Sequence, residues 1–153
     1  MRVLLLLMLI GCGSQDVSYG DVLFTKATET VFFKYIGSFE RLLGRTTSSK
    51  VFFGEIDERY AAVCRGFKGS GPKQVIVDKE TWENLNEVQR EQLIFHELGH
   101  CDLDLEHNDT SFLDIDTQTY CPSSVMRYKL FNKTEIKECY QPFKNMYIDE
   151  LFK

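Results

Sequence analysis

A single α+β domain is what three features of this chain predict. Apolar residues recur at helical spacing across residues 27–45. Three short runs rich in β-branched and aromatic residues follow between residues 50 and 78, and a second helical pattern opens after Asn86. The 153 residues, 43% hydrophobic and 27% charged, suit one domain with a modest core and exclude wholesale disorder. The formal net charge is -5 and no lysine/arginine block stands out, so nucleic-acid binding is not expected. No internal repeat is visible.

The first eleven residues read as an export signal rather than as part of the fold. Met1-Arg2 is a minimal basic start, and residues 3–10 form an unbroken apolar run. The run is too short to span a bilayer as a helix but has the length of a signal-peptide core. It ends in Leu9-Ile10-Gly11-Cys12, which resembles the bacterial lipobox. That resemblance implies removal of residues 1–11 and lipidation of Cys12, giving a stable membrane anchor in the bacterial cell envelope. Gly13, in place of an aspartate, favours the outer membrane over the inner. A plain secretory signal with a cysteine nearby is the alternative. Residues 12–24 then form a tether and residues 25–153 the domain.

Within the domain, Val31, Phe32, Tyr35, Phe39, Leu42 and Leu43 mark the core face of a helix over residues 27–45. A polar turn at residues 45–50 leads to strands over residues 50–56, 60–67 and 73–78, which together suggest one small sheet. The second helix begins after Asn86, which caps it with Gln89 in a capping-box pattern, and Glu87 suits the first turn. Val88, Ile94, Phe95, Leu98 and Cys101 form its core stripe. Residues 104–125 read as irregular, a length that is usually functional or locally tied down. A C-terminal helix starts at Asn132 or Thr134, and Pro142 should break it. Met146, Ile148, Leu151 and Phe152 are its expected docking face.

The chemistry concentrates in twelve residues that hold all three histidines: His96, His100 and His107. The first two lie in His96-Glu97-Leu98-Gly99-His100, an H-E-x-x-H motif. Positions i and i+4 share a helix face, so both imidazoles can reach one metal ion, and Glu97 projects beside it where a water-activating base is needed. Gly99 costs helix stability but leaves room for close packing beneath the site. A catalytic zinc takes three protein ligands and leaves one position for water. The third ligand can be His107 or Glu106, or, in a different clan of zinc peptidases, Glu135 or Glu138.

The stretch resembles the metzincin metallopeptidases, whose pattern is H-E-x-x-H-x-x-G-x-x-H followed by a methionine turn. Here the third histidine arrives one residue late, and Asp104 stands in the place of the turn glycine. Glu106 falls at the unshifted register. Downstream, Ser124-Val125-Met126 is similar to the methionine turn, and Tyr128 follows the methionine by two residues, as a tyrosine does in astacin-like and serralysin-like members. The resemblance implies a minimal zincin-like domain with a small sheet, an active-site helix and a C-terminal helix. It implies one catalytic Zn2+ on His96, His100 and His107, Met126 packed beneath the imidazoles, and Tyr128 as a loose ligand or oxyanion donor. It further implies a monomeric zinc-dependent endopeptidase acting on peptide or protein substrates, with the substrate strand added to an edge formed by residues 74–78. A zinc-containing binding lipoprotein without catalysis, and a surface lipoprotein without metal, are the competing readings.

With Cys12 assigned to lipid, Cys64, Cys101, Cys121 and Cys139 remain, and two disulfides among them allow three connectivities. Cys101 with Cys121 is the preferred pair because it would close the loop that carries His107; buried free thiols are the alternative. Asn108-Asp109-Thr110 and Asn132-Lys133-Thr134 match the glycosylation triplet, which carries no meaning in a bacterial lipoprotein.

Overall fold

Element boundaries in the computed structural model, which describes residues 11–14, 27–66, 68–69 and 71–153, follow from where each backbone segment finds its partners. Residues 28–29 run extended beside β2 (Lys50–Phe53). The Glu29 N–H donates to the Val51 carbonyl at 2.9 Å, and the Glu29 carboxylate accepts from Phe53 N–H at 2.9 Å. Those bonds forbid a helix from residue 27. The chain instead makes a 3-10 turn, Thr30–Phe32, and then α1 (Phe33–Leu43), which Gly44 ends at φ 76°. Phe32, Tyr35, Ile36 and Phe39 enter the core, whereas Val31 and Leu42 are exposed.

The four-stranded sheet has the order β1-β3-β4-β2, with β1 at Gly11–Ser14, β3 at Tyr60–Arg65 and β4 at Gln74–Val77. β2 and β4 are parallel, with Phe52 opposite Ile76; β3 and β4 are antiparallel, with Val63 opposite Ile76. β1 runs parallel along the outer edge of β3. β4 is therefore interior, which corrects the expectation that residues 74–78 form an edge. An interior strand buried on both faces reads as a continuous apolar run, as Val75-Ile76-Val77 does. β1 includes Cys12, while residues 1–10 of the expected signal and 15–26, most of the tether, lie outside the described residues.

Asp78 then caps α2 (Lys79–Asn84) by accepting the Thr81 N–H at 2.7 Å, a short helix missing from the sequence reading. It delivers Trp82 against Phe32 and Tyr35, at ring separations of 5.0 and 5.3 Å. α3 (Glu87–Leu103) starts where expected, with Asn86 and Gln89 bonding each other's backbone. Residues 92–101 are buried without interruption, because β3, β4 and α1 pack on the helix and Val125, Met126 and Phe131 lie against it from the C-terminal part of the chain.

After α3, β5 (Ser111–Asp114) and β6 (Thr119–Pro122) form an antiparallel hairpin within the segment expected to be irregular. Its pairing is four residues long, and its turn holds Gln118 at φ 55° rather than a glycine, so the usual hairpin signal is missing. Phe112 anchors it on Phe143 at 5.2 Å. α4 (Lys133–Glu135) is capped by Asn132 in a reciprocal bond with Glu135 and widens into a π-turn at Ile136–Tyr140. The helix breaks around Pro142 before α5 (Lys144–Leu151). Tyr147 and Leu151 are the buried residues of α5; Ile148 and Phe152 pack partly, and Met146, expected inward, is exposed.

The disulfides are Cys64–Cys101 and Cys121–Cys139, correcting the expected Cys101–Cys121 pair. Cys101 faces the sheet, its sulfur 3.7 Å from the Gln74 carbonyl, whereas Cys121 lies on the hairpin, where it joins the π-turn. Cys64–Cys101 closes 37 residues and ties β3 to the residue after His100. Replacing both cysteines by serine is expected to cost about 4 kcal/mol of stability through the freed unfolded chain. A urea midpoint unchanged from wild type would contradict this.

Candidate metal centre

The last turns of α3 present His96, Glu97 and His100, all buried. The Nε2 atoms of His96 and His100 lie 3.0 Å apart. The helix ends at Asp104 in the left-handed conformation, φ 53° and ψ 31°, where an aspartate is among the better non-glycine residues. Its carboxylate is held by Lys73 Nζ at 2.7 Å, and the Leu105 N–H bonds back to the Gly99 carbonyl. The reversal returns His107 to the helix, with its Nε2 3.2 Å from that of His100. Ligand atoms of the three histidines all lie within 4.8 Å of one another. Glu106 turns outward into an ion pair with Lys68. Glu135 is engaged by Arg127 at 2.8 Å and Glu138 is exposed, so neither joins the cluster.

Backbone carbonyls orient the rings. His96 Nδ1 lies 2.8 Å from the Val125 oxygen, and His100 Nδ1 lies 2.6 Å from that of Leu105. A carbonyl only accepts, so Nδ1 carries the proton and the Nε2 lone pair faces the shared point. Burial pushes the His96 imidazole down to about 3, with the neighbouring His100 adding to it, and burial pushes His100 down to about 4. Burial also lowers His107. The rings are therefore neutral donors at pH 7. Two imidazole nitrogens on a tetrahedral divalent ion stand about 3.3 Å apart, so the His96–His100 and His100–His107 separations of 3.0 and 3.2 Å are compatible with a shared divalent metal.

Met126 is buried directly beneath the helix. A Cβ added at Gly99 would lie 2.5 Å from Met126 Sδ and 3.3 Å from Leu151 Cδ1, so only glycine admits this packing. Met126 N–H donates to the buried Ser124 hydroxyl oxygen at 2.9 Å, and its carbonyl accepts from Asn108 N–H at 2.9 Å. Gly99→Ala would add about 1 kcal/mol of stability in an open helix. Here the overlap with an enclosed side chain is expected to reverse the sign, for a net loss of about 1–2 kcal/mol. Chemical denaturation reads the difference, and a gain would contradict the packing.

Tyr128 meets His107 edge-on at 5.4 Å between rings, and its N–H donates to Asp109 Oδ1 at 2.9 Å. The tyrosine is 39% exposed and borders a groove of about 470 Å³, lined by Asp109, Tyr120, Arg127, Lys129 and Glu135 among others. Sequence reasoning missed the Val125 and Leu105 carbonyls, which have no residue-type signature, and the link from Asn108 to Met126.

A central helix ending in H-E-x-x-H, with a third imidazole folded back onto it inside a small α+β domain, defines a metallopeptidase-type domain. The family model described as "Putative phage metallopeptidase" matches residues 20–121, more than half of the chain. The chain belongs to this phage metallopeptidase family. The matched span holds all three histidines and stops before Met126. Comparisons with curated proteins and with solved structures find no match.

Proposed function

We propose that the chain is a metzincin-like, zinc-dependent endopeptidase. The observation that carries this is the convergence of three neutral imidazoles beside the buried Glu97, with Met126 beneath them. His96, His100 and His107 would hold the ion. Zinc, when bound, supplies a water of lowered pKa and positive charge for a developing oxyanion. Glu97 takes the proton of the attacking water and delivers it to the leaving amine. Tyr128, whose ring meets His107, would donate to the oxyanion. β3 is flanked by β4 and by Gly11–Ser14, so an extended substrate would take the outer side of β3 only by displacing that segment. The groove beside Tyr128 would receive one of the substrate's side chains.

The lipobox-like Leu9-Ile10-Gly11-Cys12 supports attachment to a bacterial envelope membrane, with the outer membrane favoured by Gly13. Palmitate labelling that disappears in Cys12→Ala tests the anchor. Zinc stoichiometry combined with cleavage of a broad peptide library tests the activity. One bound zinc with chelator-sensitive cleavage is the expected result. Bound zinc with no cleavage of any library member favours a non-catalytic binding lipoprotein, and absence of stoichiometric zinc overturns both readings.

A further inference from the structure

We infer that Glu150, on the C-terminal helix α5, is a positioning residue that clamps the third histidine's loop to the methionine turn; this rests on the zinc-site reading above. Its Oε2 accepts from Ser124 Oγ at 2.7 Å and its Oε1 accepts from Asn108 Nδ2 at 3.3 Å. Ser124 is fully buried, and its hydroxyl oxygen also accepts the Met126 N–H. The hydroxyl proton is thereby aimed at Glu150 and a lone pair at Met126. Asn108, next to His107, closes the circuit through its own N–H to the Met126 carbonyl. One carboxylate thus joins the residue after the third imidazole to the turn beneath the first two.

The clamp comes from a fixed element. Tyr147, Glu150 and Leu151 share a face of α5 by their i, i+3 and i+4 spacing. Tyr147 is buried with its hydroxyl donating to the Pro122 carbonyl at 2.6 Å, and Leu151 is buried against the space beside Gly99. Cys121–Cys139 fastens the hairpin to the turn that precedes α5. Both partners of Glu150 donate, so the position calls for an acceptor at each oxygen. Charge-assisted bonds of this kind are about twice as strong as neutral ones. Glutamine satisfies one partner and offers a donor to the other.

The role of Glu150 is therefore to hold His107 near its ligating position before the ion arrives. Glu150→Ala is expected to weaken zinc binding by about 10- to 100-fold in competition with a chromogenic chelator. Glu150→Gln should fall between it and wild type. At saturating zinc, kcat should stay within about threefold of wild type, because the groups that carry protons are untouched. In the zinc-free protein, the Asn108 amide should exchange hydrogen faster in Glu150→Ala than in wild type. The exposed neighbour variant Asp149→Ala should change neither quantity. The effects of Glu150→Ala and Ser124→Ala should not add, because both open the same circuit. If Glu150→Ala fails to fold, Glu150→Gln and Asn108→Ala carry the same test. Wild-type zinc affinity and wild-type exchange of the residue 108 backbone amide in these variants overturn the clamp alone. A wild-type protein that takes up no zinc overturns the peptidase reading, while faster Asn108 exchange in the variant would still support the clamp.

Discussion

Glu97→Gln is expected to lower kcat by about 10³- to 10⁴-fold while the protein still binds one zinc ion. Glu97 follows the first histidine of the motif and is 0% exposed, in the same buried turn of α3 as His96 and His100. Glutamine matches its shape and fills the same space, so the helix and the three imidazoles should keep their places. An amide takes up no proton at working pH. Under the proposed mechanism the attacking water would then lose its base and the leaving amine its acid. Zinc content by native mass spectrometry and kcat on the best library peptide separate the two effects. A variant that keeps its zinc and more than about a tenth of wild-type turnover would exclude Glu97 as the base.

His107→Ala should lower zinc affinity by about 10²- to 10³-fold, since three ligands share the binding free energy and one is removed. Activity should fall with it. Glu106→Ala should leave both unchanged, because the Glu106 carboxylate faces Lys68 and solvent rather than the imidazole cluster. The pair of variants separates the two registers that the sequence allows. Chelator competition on the purified proteins measures the affinities. Zinc retained by His107→Ala but lost by Glu106→Ala would reassign the third ligand, and loss in Glu135→Ala instead would move the protein to another clan.

Much of the site was legible because it is local. The pair His96 and His100 needs only helical spacing, and Asn86 with Gln89 needs only the chemistry of a helix start. The turn at Asp104 was readable from the resemblance to the metzincin pattern, in which Asp104 stands in the glycine's place, and its φ of 53° agrees. The room needed beneath Gly99 followed from a small residue inside a metal motif. Less legible were elements whose signal is short or broken. α2 spans six residues, and the hairpin of β5 and β6 lacks a glycine at its turn. The start of α1 shifted because the backbone at Glu29 pairs with β2, a partner more than twenty residues away in sequence.

The disulfides separate local from tertiary information most clearly. Four cysteines beyond Cys12 allow two bridges, but pairing depends on which elements the fold brings together around each sulfur. Cys101 faces the sheet and Cys121 lies on the hairpin against the π-turn, so proximity to His107 along the chain was the wrong guide. The same holds for the sheet, where strand order and not strand sequence makes β4 interior.

By itself the sequence determined the α+β class, the helix that carries His96, Glu97 and His100, and the residue types able to bind a zinc ion, because these depend on periodicity, caps and donor chemistry within a few residues. Only the tertiary structure decided that His107 rather than Glu106 joins the cluster, that the carbonyls of Val125 and Leu105 set the rings, and that Glu150 ties His107's loop to Met126. The physical reason is distance along the chain. Backbone acceptors and remote carboxylates carry no spacing signal, and their partners are settled only when the sheet, the hairpin and the C-terminal helix close around α3.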